Sequence, residues 1–218
     1  MSLDFNFILR NLPLFGKGLV VTVELSLLAI AAAMLWGLIV AFGRMSQHRA
    51  VRSLAGGYIE VVRDTPVLVQ MYFIYFGFSM AGFGLSGFAS GLLALCAQNG
   101  GYVAEIYRGG LQSVSIRQFE AGRALGMRRR TLYTTVILPQ VIARVIPPLT
   151  NQSISIIKDT SQVAAIAVME IMKITEVWVE TSANTYDVFL GAALIYLALT
   201  SIAGLVGKLA ERSLAFAQ

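Results

Sequence analysis

From Gly18 to Gly43 the chain reads GLVVTVELSLLAIAAAMLWGLIVAFG, an apolar run broken by a single charge, Glu24. About 20 such residues cross the hydrocarbon core of a bilayer as a helix. No water is available there to unpaired N–H and C=O groups, so a spanning segment has to close its own hydrogen bonds. Glu24 stands near the end of the run, where it either reaches the interface or faces an internal cavity.

The rest of the chain obeys the same constraint. Of its 218 residues 56% are hydrophobic and 13% charged, with a mean hydropathy of +0.70. Soluble domains carry roughly 25% charged residues, and so few charges could not cover so apolar a core. The chain therefore reads as an integral, all-α membrane protein. At about 20 residues per crossing, its length holds about five spans and no sizeable further domain.

The first span is Gly18–Gly43, the second lies within Gly57–Met80, and the third is Gly87–Tyr107. At least one more crossing occupies Pro139–Met172, with Pro147 and Pro148 kinking it, and the last is Val188–Gly207. A single helix and a helix followed by a re-entrant piece fit the fourth region equally well. The second span either begins near Tyr58 or restarts at Thr65-Pro66, since proline suits a first helical position. Residues 1–17, with Pro13, read as an interfacial lead-in, Arg44–Ser53 as a basic loop and Lys173–Asp187 as an acidic stretch. The start, MSLDFNFILRNLPLF, carries Asp4 and has no basic lead into a short apolar run, so no cleaved signal peptide is expected.

Basic residues set the orientation. Arg44, Arg49 and Arg52, then Arg108, Arg117, Arg123, Arg128, Arg129, Arg130 and Arg144, then Lys208 and Arg212 fall on one side. Arg10, Lys17, Lys158 and Lys173 fall on or near the other. The positive-inside rule then places the N-terminus outside and the C-terminus in the cytoplasm. The formal net charge of +5 is this loop bias, not a nucleic-acid footprint.

Little catalytic chemistry is present. The sequence has no GxxxxGK[ST] phosphate loop and no GxGxxG turn, so no nucleotide site of its own is expected. One histidine and one cysteine, Cys96, supply neither a metal cluster nor a triad. What stands out is polar residues at membrane depth, which are costly unless paired or lining a pathway. They fall in three clusters on different spans: Arg63 and Asp64, then Gln98 and Asn99, then Asn151, Gln152, Lys158 and Asp159. A shared cavity accounts for them, and interhelical ties such as Lys158–Asp159 or Glu60–Arg63 are the alternative. The Gly100-Gly101 pair beside two amides would loosen the third span at that point.

The longest polar insertion, Arg108–Leu138, reads as two short helices across a turn. A helix over Gln118–Leu125 would carry Glu120 early, where the dipole favours a carboxylate. Ala121, Gly122, Ala124 and Gly126 permit close backbone approach. A basic loop against anionic lipid headgroups is the alternative reading.

The run Glu120-Ala121-Gly122-Arg123-Ala124-Leu125-Gly126, with Val136-Ile137-Leu138-Pro139 downstream, resembles the EAA loop of ABC-importer permeases. Gly122 stands where that pattern has a second alanine. Tyr58-Ile59-Glu60, Arg63-Asp64-Thr65-Pro66, Gln70, Tyr102–Ile106 with Arg108-Gly109-Gly110, Pro147–Gln152 and Lys158–Ser161 are similar to motifs of the polar amino-acid uptake subfamily, the histidine-, glutamine- and arginine-type systems. The resemblance covers nearly the whole chain.

It implies a type I ABC importer permease fold in a bacterial cytoplasmic (inner) membrane, one permease domain over residues 1–218, with a cytoplasmic coupling loop at about 108–139. The implied partners are a second permease, identical or homologous, two ABC ATPase subunits that hold ATP and Mg, and an extracytoplasmic solute-binding protein, with lipid around the chain and no nucleic acid. Glu120, Ala121, Gly122, Leu125, Gly126, Leu138 and Pro139 would couple to the ATPase. Arg63, Asp64, Thr65, Gln98, Asn99, Lys158, Asp159, Thr160 and Ser161 would line the substrate path. Asp64 and Gln98 replace the usual glycine and asparagine, and an added carboxylate at position 64 would either favour a cationic substrate group or pair with Arg63.

Overall fold

In a computed structural model the chain is described over residues 5–182 and 185–215, and its first residues, Asp4 among them, lie outside that range. The described residues are helical almost throughout. Helix α1 spans Phe5–Arg44, α2 Arg49–Asp64, α3 Val67–Met80, α4 Gly87–Gln112, α5 Ile116–Ala124, α6 Arg129–Ile166, α7 Ile171–Ser182 and α8 Thr185–Ala215.

The stretch expected as a separate lead-in is helical from Phe5 and continuous with the first span, Pro13 included. The basic loop is shorter than expected, because α2 already starts at Arg49. Among the described residues three helical stretches are long and apolar enough to cross a bilayer: Phe15–Arg44, Arg129–Ile166 and Thr185–Ser213. The 26 residues of α4 rise about 39 Å, enough to cross as well, although amides and glycines dilute their hydropathy. The second crossing is split, and of the two readings the restart at Thr65-Pro66 is the one the structure adopts.

Helices α1 and α4 form the spine. Gly37 and Gly100 let them touch: a Cβ on Gly37 would meet Val103 at 2.6 Å, and one on Gly100 would meet Trp36 at 2.6 Å. Gly101 does the same toward Val62 of α2. The glycine pair therefore packs α4 and does not loosen it. Around this seam Leu25, Ala29, Ala33, Met71, Ala94, Leu95, Ile156 and Val163 make the main core. Leu35, Ile39, Phe42, Leu197, Ile202 and Leu209 point outward, as expected where the surroundings are hydrocarbon.

The fourth region resolves as one long helix followed by a shorter one. Helix α6 is π-helical over Leu132–Ile137, α-helical over Leu138–Asp159 and 3-10 over Thr160–Ile166. Pro139 cannot donate to the carbonyl four residues back and would clash with it, and the wider π turn just upstream removes that conflict. The chain then turns at Ala167, whose φ of 61° is left-handed, and enters α7, so the acidic stretch is largely helical. Glu170 is fully buried at this turn. Its Oε1 accepts from the Lys173 backbone N–H at 2.8 Å and its Oε2 from the Tyr196 hydroxyl at 2.6 Å, which caps α7 and ties it to α8.

Candidate functional site

Among the described residues a polar cavity and an exposed short helix stand apart from lipid-facing helix packing.

The cavity begins with a broken helix. In an unbroken helix Val62 O would accept from the N–H of residue 66, but Pro66 has none. Gln70 Nε2 supplies the missing donor at 2.9 Å and also reaches Thr65 O at 3.0 Å. Gln98 of α4 donates to the same Thr65 carbonyl at 3.2 Å, and Thr65 Oγ1 donates to Val61 O at 2.7 Å. Side chains thus replace the backbone bonds that the break removes, as bilayer depth requires.

Beside the break lies a cavity of about 430 Å³ lined by Pro66, Val67, Gln98, Asn99, Tyr102, Gln152, Ser155, Asp159 and Gln162. Asn99 is buried, donates to Leu95 O at 2.9 Å and accepts from Gln152 Nε2 at 2.6 Å, which joins α4 to α6. Tyr102 sits under the Arg63 guanidinium, 4.9 Å from its ring centroid. A larger cavity of about 570 Å³ between α1, α6 and α8 is lined mainly by residues such as Leu27, Ile30, Leu149, Ile157 and Ile202. A polar solute would lose its hydration there without replacement, so the smaller cavity is the candidate site.

Of the nine residues expected on the substrate path, Gln98, Asn99 and Asp159 line the cavity and Thr65 shapes its rim. Arg63 touches it through Tyr102. Asp64 is exposed at the end of α2, outside the lining, and Lys158 is exposed as well. Thr160 is buried, and the hydroxyls of Thr160 and Ser161 donate to Ile157 O and Lys158 O in their own helix. Among the described residues no ion pair joins Glu60 to Arg63 or Lys158 to Asp159. Sequence reasoning left Tyr102, Ser155 and Gln162 out of the site. The spacing Gln152–Ser155–Asp159–Gln162, one polar residue per helical turn in an apolar helix, was the signal that could have found them.

The exposed helix is α5. It starts at Ile116, two residues earlier than expected, with Ser115 Oγ accepting from Arg117 N–H at 3.3 Å. Glu120 therefore lies in the second turn, and the first turn carries no acid, so the expected dipole argument does not apply to it. The inner face is Phe119 and Gly122, packed on Val114, Leu132 and Ile137. A Cβ on Gly122 would come 2.3 Å from Leu132 Cδ1, so glycine lets the Leu132 side chain lie directly against α5. Gly126 has φ +68°, its N–H donates to Arg123 O, and the Met127 N–H donates to Gly122 O, both at 3.0 Å. That pair of bonds is the Schellman closure of a helix C-terminus. Instead of a second short helix, the start of α6 follows.

With its backbone closed, α5 turns Glu120, Ala121 and Leu125 outward. Leu125 is 80% exposed, flanked by Arg117, Arg123 and Arg128–Arg130. Leu138 and Pro139, also exposed, belong to α6 beside the π turn. Arg144 bonds the Ser113 carbonyl and, at 2.9 Å, its hydroxyl, which holds the base of the α5 segment to α6. An exposed leucine and carboxylate thus stand on a rigidly mounted helix.

Known proteins share this plan. Residues 33–216 match the family described as binding-protein-dependent transport system inner membrane component. The glutamine transport system permease protein GlnP of Escherichia coli (strain K12) is 33% identical, over 97% of this chain and 98% of its own length. The nopaline transport system permease protein NocM of Agrobacterium fabrum is 32% identical, over 96% and 91%. A solved amino acid ABC transporter structure with histidines superposes with a TM-score of 0.90 at 34% identity, covering 98% of this chain and all of that one. A chain of the MetNI methionine ABC transporter, at 15% identity and a TM-score of 0.76, shares the fold. The chain belongs to the binding-protein-dependent transport system inner membrane components, the permease subunits of ABC importers.

Proposed function

We propose that this permease carries a polar amino acid or related zwitterion inward through the Gln98–Asp159 cavity, driven by ATP that a partner hydrolyses. The observation that carries the reading is one polar cavity at a helix break, held open by side-chain amides between otherwise apolar helices. A zwitterion needs such a surface, because its charges lose their hydration on entering the membrane. Asp159 is the carboxylate that faces the cavity and offers an acceptor for an ammonium group. Asp64, outside the lining, has no comparable position.

The exposed α5 knob docks in an ATPase subunit, which holds the ATP and Mg, while this chain binds no cofactor. Two such ATPases, a second permease and an external solute-binding protein complete the assembly. The basic α5 end faces the cytoplasm, with the N-terminus outside and the C-terminus inside. ATP-driven closure of the partners then rocks the helices about the cavity. A stand-alone carrier is the competing reading, and an exposed docking helix has no use in it.

Purification of the tagged chain from its native membrane, with and without Glu120→Lys, tests this by mass spectrometry of what accompanies it. The expected result is an ABC ATPase with the wild type, lost with the variant. No ATPase with either protein would overturn the importer reading.

A further inference from the structure

Most polar groups around the cavity are already committed to the fold. Gln98 donates to Thr65 O, Asn99 is engaged at both ends of its amide, and Gln152 donates to Asn99. The Tyr102 hydroxyl donates to Arg63 O at 3.4 Å. Ser155, Asp159 and Gln162 remain, all half-buried, all on α6 at spacings of four and three. Among the described residues none of these three side chains makes a hydrogen bond. The α4 wall is mainly scaffold, with the Gln98 amide oxygen left over, and the α6 wall carries three whole side chains without hydrogen-bond partners beside the Gln152 amide oxygen.

Those side chains differ in kind. The Asp159 carboxylate only accepts, which suits an ammonium group. The Gln162 amide both donates and accepts, so its full complement is another carboxamide, with one N–H···O bond each way. A carboxylate side chain has no donor for the Gln162 carbonyl and brings a like charge toward Asp159. A guanidinium has no acceptor for the Gln162 N–H groups. An unmet polar group in a confined site is where discrimination arises.

We propose that Gln162 is a specificity-determining residue of this permease, favouring an amino acid with a carboxamide side chain over one with a carboxylate or guanidinium. The inference rests on the cavity being the transport site. It is tested on the detergent-purified permease–ATPase complex, without the solute-binding protein, by calorimetric titration with L-glutamine, L-glutamate and L-arginine. Wild type prefers glutamine. Gln162→Leu reduces that preference about tenfold with little change in glutamate affinity. Gln162→Glu shifts the preference toward arginine.

Asp159→Asn is the control for the site and weakens all three amino acids together. If it does so while both Gln162 variants leave the ratios unchanged, the inference fails and the site stands. If Asp159→Asn changes no affinity, or wild type binds none of the three, the site reading fails and takes the inference with it. A wild type that binds glutamate as tightly as glutamine also overturns the inference.

Discussion

The helix break at Thr65-Pro66 and the α5 segment are both polar interruptions of an apolar chain, and they are built in opposite ways. At the break the backbone is opened by a proline and repaired by side chains, with Gln70 and Gln98 restoring bonds to Val62 O and Thr65 O. In α5 the backbone repairs itself, through the Gly126 turn and its two main-chain bonds, so Glu120 and Leu125 are free to face outward. At the break, polar side chains hold the structure. At the surface the glycines hold the structure and the side chains are free for a partner.

The largest expected effect separates holding from binding within the cavity. Asp159→Leu should lower uptake into proteoliposomes roughly a hundredfold, the worth of a charge-assisted bond, with little change in melting temperature. A large fall in melting temperature would mean that Asp159 belongs to the scaffold.

Gln70→Leu should behave the other way. It strands Val62 O beside an apolar surface and should cost about 2 kcal/mol, read as a lower melting temperature in detergent. Gln98→Leu should cost less, about 1 kcal/mol, because Gln70 still serves Thr65 O. Equal losses would show that the break does not depend on the missing Pro66 N–H.

Smaller effects test the α5 segment. Gly126→Ala meets open space yet must hold a left-handed φ, at a cost of about 1 kcal/mol. Hydrogen exchange should show that loss confined to the end of α5. Gly122→Ala should be nearly neutral in melting temperature: displacing buried Leu132 costs about 1 kcal/mol, and alanine returns up to about 1 kcal/mol of helix preference. A loss well above that would mean Leu132 has no room to turn.

How much of this was legible depended on which physics left a trace in the sequence. The long apolar runs Gly18–Gly43 and Val188–Gly207 named two crossings, because hydrocarbon admits no other pattern. The Gly100-Gly101 pair was misread as a weak point, since a sequence does not show that Trp36 and Val62 sit against those glycines. Glu120 was placed in the wrong turn because Ser115, the cap, was not singled out. In the cavity, Gln98, Asn99 and Asp159 were visible as polar residues out of place. Gln162 was legible only through its spacing, three residues beyond Asp159 on the same helical stripe. Asp64 looked important by its charge, and only the fold puts it outside the lining.

The division of labour between the two regions is tested most directly by ATPase retention on the tagged permease, with Leu125→Asp and Asp159→Asn measured side by side. The account predicts that Leu125→Asp loses the ATPase at least tenfold, since a charge replaces the exposed apolar contact, while Asp159→Asn retains it fully. Loss with both variants, or with Asp159→Asn alone, would contradict the account.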